Sequence, residues 1–230
     1  MQLILLFFIL FSFNAHADIT SNLVSHWKLD DCSGSTAVDS IAANNLTLTD
    51  TVWVTGWAGG CALKFNGTTA IGESGSNTGV DAAEARTITW KAHSISDGTM
   101  VAIGAAGTHA LFGGLCLGET WFLNMYGADD LDTGKSCDVN WHTHAIWSNG
   151  TDIKYYVDAI EMGTLTVTPE TTNSTFQLGF QNAAGIPVNA GAVIDDVRLY
   201  SRALSVGDLQ ELDSREARIG SGTIGSAKFF

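Results

Sequence analysis

Two histidines separated by a single residue form a constellation that can do chemistry. His142 and His144 lie in an alternating stretch, so with Ile146 facing a core both imidazoles are predicted on the same inner face of a strand. This spacing can hold zinc or copper, but a metal site needs a third ligand, and the sequence identifies none. The pair is therefore predicted to be structural and packed.

An aspartate cluster from Asp129 to Gly134 begins like a calcium-binding loop. It lacks the glutamate that an EF-hand carries further along, where Trp141 stands instead. A solvated turn is the prediction for this segment.

Three acidic residues have the spacing Glu-x-Asp-x-x-Glu: Glu211, Asp213 and Glu216. A retaining glycosidase holds two carboxyl groups about 5 Å apart, which requires a strand in mid-sheet. Here the string follows Ser205 and Asp208, a pair typical of a helix N-terminus. We therefore predict a helix from Ser205 to about Asp213, with these carboxylates on its surface and without a catalytic role. Nucleophile-elbow, phosphate-cradling and His-Glu-x-x-His motifs do not occur in the sequence.

The N-terminal segment has the pattern of an export signal. Met1–Phe13 is almost wholly apolar, and Ala15-His16-Ala17 supplies a small-x-small cleavage site. We predict a signal peptide over 1–17, one domain over 18–213 and a C-terminal tail over 214–230. A retained N-terminal anchor is the alternative, although the apolar run is shorter than the roughly 20 residues that span a bilayer.

Charge and cysteine content narrow the class of protein. The formal net charge is −13, and an acidic surface repels phosphate backbones, so nucleic acid is not an expected partner. Four cysteines in an exported chain favour two disulfides, for which three pairings are possible: Cys32, Cys61, Cys116 and Cys137. The expected location is extracellular or periplasmic, and no membrane span is expected.

The elements that must position these residues are short strands. Alternating or β-branched runs recur along the chain, separated by turn signals such as Asn66-Gly67 and Asn149-Gly150. This spacing predicts an all-β antiparallel sandwich or barrel. The predicted strands are Leu23–Leu29, Leu46–Leu48, Ala62–Phe65, Arg86–Ala92, Met100–Gly104, Ala110–Leu117, Trp121–Met125, His142–Trp147, Ile153–Val157, Phe176–Phe180 and Ala192–Tyr200.

Four segments, in order, resemble the motifs of the LamG-like jelly-roll domains in the concanavalin A-like lectin/glucanase superfamily. They are His26-Trp27-Lys28-Leu29-Asp30-Asp31, Gly59–Gly67, Trp141–Asp158, and the closing Val193-Ile194-Asp195-Asp196-Val197-Arg198-Leu199-Tyr200 with the Ser201–Ser205 turn. The resemblance covers Leu23 to about Leu212 and implies a two-sheet antiparallel jelly-roll sandwich with one short helix. It points to secreted binding modules, not to a particular reaction.

The resemblance also implies specific residue roles. A structural Ca²⁺ in related domains often joins the last strand to the N-terminal segment, so Asp195 with Asp39 or Asp30 is the expected ligand set, completed by backbone oxygens. Turn capping, or pairing with Arg198, is the alternative for these aspartates. Short loops and the family-like layout favour the disulfides Cys32–Cys61 and Cys116–Cys137.

Three side chains are candidates for contacting a ligand. Trp147 is predicted on the outer face of its strand, where it either stacks on a sugar ring or is covered by a loop. Asn124 and Tyr126 alternate away from Leu123 and Met125, which are expected in the core.

These observations favour a secreted, non-catalytic binding module, with a glycan or another extracellular surface as its ligand and calcium as a structural ion. An extracellular structural or adhesive protein is the second hypothesis, because the tail from Ile219 to Phe230 ends apolar and can pair with a sheet edge of a second copy. A laminarinase-type glycosidase using the Glu211–Glu216 string is the third.

Overall fold

The computed structural model describes residues 18–93, 97–105, 109, 112–125, 129–172, 175–181, 186–187 and 191–220. The predicted signal peptide over 1–17 and the tail beyond 220 lie outside the described residues. In chain order the elements are β1 (Leu23–Trp27), β2 (Thr36–Ala37), β3 (Leu46–Thr49), β4 (Val52–Thr55), β5 (Cys61–Lys64), β6 (Ile71–Ser74), β7 (Arg86–His93), β8 (Gly98–Ile103), β9 (Phe112–Leu117), β10 (Thr120–Met125), β11 (Leu131–Ser136), β12 (His142–Ser148), β13 (Asp152–Val157), β14 (Ile160–Thr166), β15 (Phe176–Leu178), β16 (Phe180–Gln181), β17 (Ile186–Pro187), β18 (Val193–Tyr200) and α1 (Val206–Gly220).

The strands form two antiparallel sheets packed face to face. The terminal sheet, which holds the first and last strands, has the order β14-β13-β12-β7-β18-β5-β4, with β1 also paired to β18. The opposite sheet has the order β11-β10-β9-β8-β15-β6-β3-β2, and β16 and β17 form a separate ladder. The prediction of an all-β sandwich with one helix is confirmed.

The last strand closes the terminal sheet, as its alternation predicted. One edge of β18 pairs with β7, while the other pairs first with β5 and then with β1, where Trp27 lies opposite Val197. A bulge at Asp195 and Asp196 shifts the register, and Asp196 has a φ of 45°. Because a bulge interrupts strict alternation, these neighbouring aspartates lie on the same side of the sheet.

The main core lies between the two sheets. Alternation along each strand sends apolar side chains inward, and the largest fully buried ones include Trp27, Trp90, Trp121, Phe65 and Phe176. Trp27 and Phe176 stack across the two sheets with ring centroids 4.7 Å apart. This packing fixes the sheets against each other and leaves their outer faces to other uses.

A second apolar cluster forms where α1 covers part of the outer face of the terminal sheet. Ser205 and Asp208 form the predicted capping box, since each backbone N–H donates to the other side chain, at 2.8 and 3.1 Å. The helix buries Leu209 and Leu212 against the sheet. The helix continues to Gly220, the last described residue, beyond the predicted end near Asp213, because the Ser214–Ile219 stretch contains no helix breaker.

One predicted turn is a strand. The segment expected to be a solvated turn, Asp129–Gly134, contributes most of β11, which pairs with β10 at an edge of the opposite sheet. Its side chains alternate between half-buried and exposed, which suits an edge strand that is rich in polar residues. The turn prediction was therefore wrong for Leu131–Gly134.

Both predicted disulfides are present. Cys32 is bonded to Cys61, and Cys116 is bonded to Cys137. In the described part of the chain no helix is long and apolar enough to cross a bilayer.

Candidate functional site

A groove crosses the outer face of the terminal sheet at the end that α1 leaves uncovered. Its main cavity has a volume of about 340 Å³, and three elements supply the walls: β1 with the residues after it, the loop before β5, and the bulge of β18. The lining residues are His26, Lys28, Asp30, Trp57, Ala58, Gly60, Asp195, Asp196 and Arg198. A volume near 300 Å³ is at the lower end for small-molecule sites.

Trp57 is the aromatic wall of the groove. The loop that carries it folds onto the sheet because its backbone N–H donates to Asp195 Oδ2 at 2.9 Å. The loop approaches so closely that a Cβ at Gly56 would lie 2.6 Å from the same carboxylate oxygen. Glycine is therefore required at Gly56 for the indole to reach its place over the sheet.

Asp195 is the most buried carboxylate in the groove. Its two oxygens accept backbone N–H groups from Trp57 and Asp196, at 2.9 and 2.8 Å. Burial nevertheless raises the pKa of Asp195 to about 7, and the negative charges of Asp196 and Asp30 contribute in the same direction. Near neutral pH this side chain is therefore divided between its acid and carboxylate forms.

Asp196 is held by two side-chain partners. His26 Nε2 lies 2.6 Å and Arg198 Nη2 lies 2.9 Å from Asp196 Oδ1. Burial alone would raise the pKa of Asp196, but the contacts with His26 and Arg198 hold it below its usual value. Neighbouring aspartates on one bulge thus have pKa values displaced in opposite directions.

Lys91 marks the boundary between the groove and the helix. Its ammonium donates to Thr143 Oγ1 at 2.6 Å and lies 5.3 Å from the centre of the Trp57 ring. Thr143 in turn donates to Asp213 Oδ1 of α1 at 2.7 Å. Burial lowers the pKa of Lys91, and the charges of Asp196 and Asp213 oppose that shift.

Two smaller cavities continue the groove. One, of about 200 Å³, shares Lys28 and Asp30 with the main cavity and extends to Val38 and Ser40. The other, of about 30 Å³, shares Trp57 and is bounded by Trp141. The groove is therefore wide around Asp30 and narrow at its aromatic end.

The disulfide Cys32–Cys61 supports the rim. Cys61 follows the Trp57 loop, and its backbone N–H donates to Asp30 Oδ1 at 3.1 Å. Because the bond joins the segment after β1 to the start of β5, it holds Asp30 beside the loop.

The structure divides the predicted calcium ligands. Asp30 and Asp195 line the groove, whereas Asp39 bridges to Trp27 on the edge of β1 that faces away from β18. One strand thus separates Asp39 from β18, a distance of about 9–10 Å by ordinary strand spacing. Among the described residues, no group of three or more His, Cys, Asp or Glu side chains is arranged to hold a metal ion.

Asp39 by itself has the chemistry of a hard-cation ligand. Its Oδ1 accepts N–H groups from His26 and Ile41, while Oδ2 is buried with no hydrogen-bond partner in the described part of the chain. Burial favours the neutral acid, but these hydrogen bonds lower the pKa of Asp39 overall, so the carboxylate is charged. A buried, charged carboxylate suits Ca²⁺ together with backbone oxygens, and a calcium site formed by Asp195 with Asp39 or Asp30 stays a prediction.

Trp147 lies on the outer face of the terminal sheet, as predicted, but the chain itself covers part of its ring. The indole N–H donates to the carbonyl of Leu204 at 2.8 Å, and the ring packs beside the cluster under α1. Lys154 Nζ lies 5.6 Å from the ring centre. Of the two alternatives, this geometry matches the covered tryptophan, and the ligand-binding role of Trp147 stays a prediction.

Asn124 lies on β10 of the opposite sheet, far from the groove in the strand order. Its side-chain amide donates to Asp130 Oδ1 at 2.8 Å, and the backbone of Met125 donates to the same oxygen. Tyr126 lies outside the described residues. A ligand-binding role for these two residues stays a prediction.

The two histidines of the His-x-His pair have different roles, one in packing and the other in contacts with carboxylates. His144 is fully buried and stacks on Trp90 with ring centroids 5.1 Å apart, and burial lowers its pKa to about 3. His142 instead contacts the carboxylates of Asp138 and Asp158. The predicted packing role is confirmed for His144.

The acidic string on α1 has the geometry predicted for it. Glu211, Asp213 and Glu216 follow one another along a helix, and Leu212 between them is buried. A helix does not present this spacing as paired carboxylates across a substrate.

Sequence reasoning missed the residues that build the groove, chiefly Trp57, Lys91 and His26. A usable signal was present, because Trp57 precedes Gly59 and Gly60, and an aromatic residue in a glycine-rich turn is commonly displayed by the backbone. The conjunction with Lys91 had no sequence signal, since it depends on strand order.

Comparison with known structures gives the same fold. Domain 4 of AbnA, an extracellular GH43 arabinanase from Geobacillus stearothermophilus solved with arabinotriose, is 20% identical, with a TM-score of 0.67 over 84% of this chain and 98% of that one. A Trypanosoma rangeli sialidase mutant with trans-sialidase activity is 18% identical, with a TM-score of 0.68 over 87% of this chain. This chain spans 34% of the sialidase, about a third of its length.

A third similar structure is that of botulinum neurotoxin type C, in work describing cell entry through two ganglioside molecules. It is 11% identical, with a TM-score of 0.65 over 86% of this chain and 52% of that one. At such identities the likeness concerns the fold alone. No curated protein sequence matches the chain.

The sequence also matches a laminin G family model, described as concanavalin A-like lectin/glucanases superfamily, over residues 89–210. This range is more than half of the 230 residues and includes most of β7, all of β12 and the closing strand β18. The chain therefore belongs to this laminin G family of the concanavalin A-like lectin/glucanase superfamily.

Proposed function

We propose that this chain is an exported, non-catalytic module that binds a glycan in the groove beside Trp57. The observation that carries the proposal is the conjunction of one half-buried indole with fixed charged side chains in a single cavity of about 340 Å³. Sugar rings present an apolar C–H face that stacks on an aromatic ring, and hydroxyl groups that need polar partners held in place.

The groove supplies both kinds of partner. Asp196, His26 and Arg198 fix one another and line the cavity, so a ligand meets polar groups already held in place, without a large ordering cost. Lys28 and Asp30 are exposed on the rim, where the cavity widens. A short oligosaccharide suits this division into a stacking wall and a polar floor.

The similar structures support a glycan as the ligand class. The arabinanase domain was solved with arabinotriose, and the neurotoxin work describes ganglioside molecules. Export is supported by the two disulfides, which persist in oxidising compartments.

Binding without hydrolysis is supported by how the acidic side chains are used. Asp195 accepts two backbone N–H groups, and Asp213 accepts the hydroxyl of Thr143. Hydrolysis requires an acid and a second carboxylate placed on opposite sides of the scissile bond. In the groove, these acidic groups are engaged in holding the loop, the sheet and the helix.

A glycan screen followed by calorimetry tests the proposal. The chain is screened against neutral and acidic oligosaccharides, including arabinotriose, and the best ligand is titrated into the wild type and Trp57→Ala. Loss of the stacking wall is expected to weaken binding about 30-fold, equivalent to about 2 kcal/mol. Trp147→Phe, which keeps the ring packing under α1, is the matched control and is expected to change the affinity less than about twofold. Binding that is unaffected by Trp57→Ala, or no binding to any glycan, contradicts the proposal.

Self-association is the second candidate function, and an exposed sheet edge favours it. β4 is the last strand of the terminal sheet, Val52 on it is 58% exposed, and an adjoining groove of about 500 Å³ is lined by Val54 and Phe65. Such an edge can accept a strand from another chain. The apolar residues of the segment 221–230 suit this role: Ile224, Phe229 and Phe230.

Light scattering after size exclusion tests this second function. The full chain is compared with a chain ending at Gly220 and with Val52→Lys, both of which should abolish any oligomer. Ile160→Lys is the control, because Ile160 is 61% exposed on β14, the other edge of the same sheet. A monomeric full chain, or an oligomer that survives both changes, contradicts assembly through this edge.

A further inference from the structure

His142 lies between two carboxylates at the narrow end of the groove. Its Nδ1 is 2.7 Å from Asp158 Oδ2, and its Nε2 is 3.1 Å from Asp138 Oδ1. A carboxylate accepts and does not donate, so both hydrogen bonds form only when both ring nitrogens carry protons. The geometry therefore describes an imidazolium, and its side chain is only 12% exposed.

These contacts join three separate segments. Asp138 follows Cys137, which is bonded to Cys116, and its Oδ1 also accepts the backbone N–H of Asn140 at 2.7 Å. Asp158 lies in the turn between β13 and β14, and its Oδ1 accepts the backbone N–H of Thr143. The short segment between Cys137 and β12 is therefore anchored at one end by the disulfide and at the other by His142.

Trp141 is the residue that this segment presents to the groove. Its ring meets Trp57 edge to face at 5.9 Å, and meets His93 edge to face at 4.8 Å. Because Trp141 is the direct neighbour of His142, the position of its ring against Trp57 depends on the anchoring of the segment.

We propose that His142 is a positioning residue for the groove, which in its protonated form holds Trp141 against Trp57 by binding Asp138 and Asp158 together. A neutral imidazole has one N–H and keeps only one carboxylate. Asp158 is closer and less exposed, so Asp138 is released, and the Trp141 segment with it. A role of Trp141 in ligand binding rests on the proposed function. The link from Asp138 through His142 to Asp158, which we call the clamp, does not depend on it.

Other charged groups surround His142, and burial and the charge of Lys135 oppose its protonation while the two carboxylates favour it. Lys135 on β11 lies 3.3 Å from Asp158 and shares that carboxylate, while Lys91 and Asp213 lie beyond Thr143. The hydrogen bond to Asp158 raises the pKa of His142, and the charge of Asp138 contributes in the same direction. Burial lowers the pKa of His93 and of His144, so these two imidazoles lose their protons at lower pH than His142.

Nuclear magnetic resonance of the full chain tests the clamp without any ligand. The imidazole of His142 and the indole N–H groups of Trp57 and Trp141 are followed between about pH 5 and pH 9. The His142 midpoint is expected above 6.5, its ordinary value, and the Trp141 resonance is expected to shift with the same midpoint. In Asp138→Ala, which removes the acceptor of the Nε2 proton, the Trp141 resonance should stay at its high-pH position throughout.

Two further variants separate positioning from a purely structural role. His142→Lys keeps a cation at every pH in this range and should hold Trp141 at its low-pH position. Glu161→Gln breaks the Lys154–Glu161 ion pair on β13 and β14, which does not involve the clamp. This variant should leave the pH profile of the Trp141 resonance unchanged.

A Trp141 resonance that does not follow the His142 midpoint overturns the proposal, and so does a wild-type profile in Asp138→Ala. Should the screen find no glycan, the proposed function fails while this readout still decides the clamp. If the Trp141 resonance follows the His142 midpoint but glycan affinity does not change with pH around that midpoint, the clamp does not position the binding site.

Discussion

The two ends of one sheet face show how similar residues come to serve different purposes. Along β7, the outward side chains are Thr87, Thr89, Lys91 and His93. At the Thr87 end, the hydroxyl bonds to the backbone around Leu204, and α1 covers the aromatic residue beside it, Trp147. At the His93 end, Trp57 and Trp141 border an open groove.

The two ends differ in the element that supplies side chains to the outer face of the sheet. The helix brings Leu209 and Leu212, so the covered end is apolar. The bulge of β18 brings Asp195 and Asp196, so the open end is charged and held by hydrogen bonds. Substitutions at the covered end should therefore change stability alone, and substitutions at the open end should also change binding.

Removing the disulfide at the rim of the open end is expected to have the largest effect. The paired change Cys32→Ser and Cys61→Ser opens a loop of sequence separation 29 and should lower the free energy of unfolding by about 3–4 kcal/mol. Because Asp30 is tied to Cys61, glycan affinity should fall as well. The control is the pair Cys116→Ser and Cys137→Ser, which should cost a similar free energy of unfolding by denaturant titration. Unchanged glycan affinity in the Cys32→Ser, Cys61→Ser variant would contradict a role of the rim in binding.

Truncating the helix contact tests the covered end. Leu212 is 2% exposed, and Leu212→Ala should lower the free energy of unfolding by about 2–3 kcal/mol while leaving glycan affinity unchanged. Val206→Ala, at a helix position that is 49% exposed, should change it by less than about 0.5 kcal/mol. If Leu212→Ala weakens binding by as much as Trp57→Ala does, the two ends are not independent.

Calcium distinguishes Asp39 from the groove carboxylates. If Ca²⁺ binds at Asp39 with millimolar or tighter affinity, about 5 mM Ca²⁺ should raise the free energy of unfolding by about 1–2 kcal/mol. Asp39→Asn should abolish this increase, while Asp30→Asn should retain it. An equal thermal melting temperature with Ca²⁺ and with a chelator contradicts a structural calcium, and a response lost only in Asp30→Asn moves the ion to the groove.

The smallest effect is expected in the pH dependence of the free energy of unfolding. It should reflect the ion pairs of His142 with Asp138 and Asp158. The pKa of His142 is raised, so its contribution is present below about pH 6.5 and is lost as the pH rises through the folded value. The pKa of Asp158 is lowered to about 2, so its contribution is present above about pH 4 and is lost as the pH falls toward 2. Denaturant titrations should show the cluster contributing most between these limits. His142→Gln should flatten the alkaline side and weaken the acid side as well, because His142 is the main group that lowers the pKa of Asp158. A wild-type slope in that variant contradicts the assignment.

Local patterns in the sequence predict most of the fold. Alternation locates the strand from His142 to Ser148, and the Ser205–Asp208 pair locates the start of α1, because both signals depend on residues close together in the chain. The strand Leu131–Ser136 was missed because an edge strand needs few apolar residues. The same reasoning places Trp147 on an outer face but gives no information about what covers that face.

The groove could not be predicted in this way because it depends on tertiary neighbours. Trp57 reaches Lys91 only because β18 lies between β5 and β7, and Asp195 and Asp196 face the same side only because of the bulge. Asp195 and Asp30 were selected from the sequence as calcium ligands, and both line the groove. The partners that make the groove a site come from strands distant in sequence.

The most direct test of the account is a footprint of the bound glycan. With the tightest oligosaccharide from the screen, amide and indole resonances are compared between the free and bound chain. The account predicts the largest shifts at Trp57, His26 and Arg198, and unchanged resonances at Trp147 and Asn124. Largest shifts at Trp147 and Tyr156, or along β10 at Asn124, would contradict it, because the ligand would then occupy the covered end or the opposite sheet.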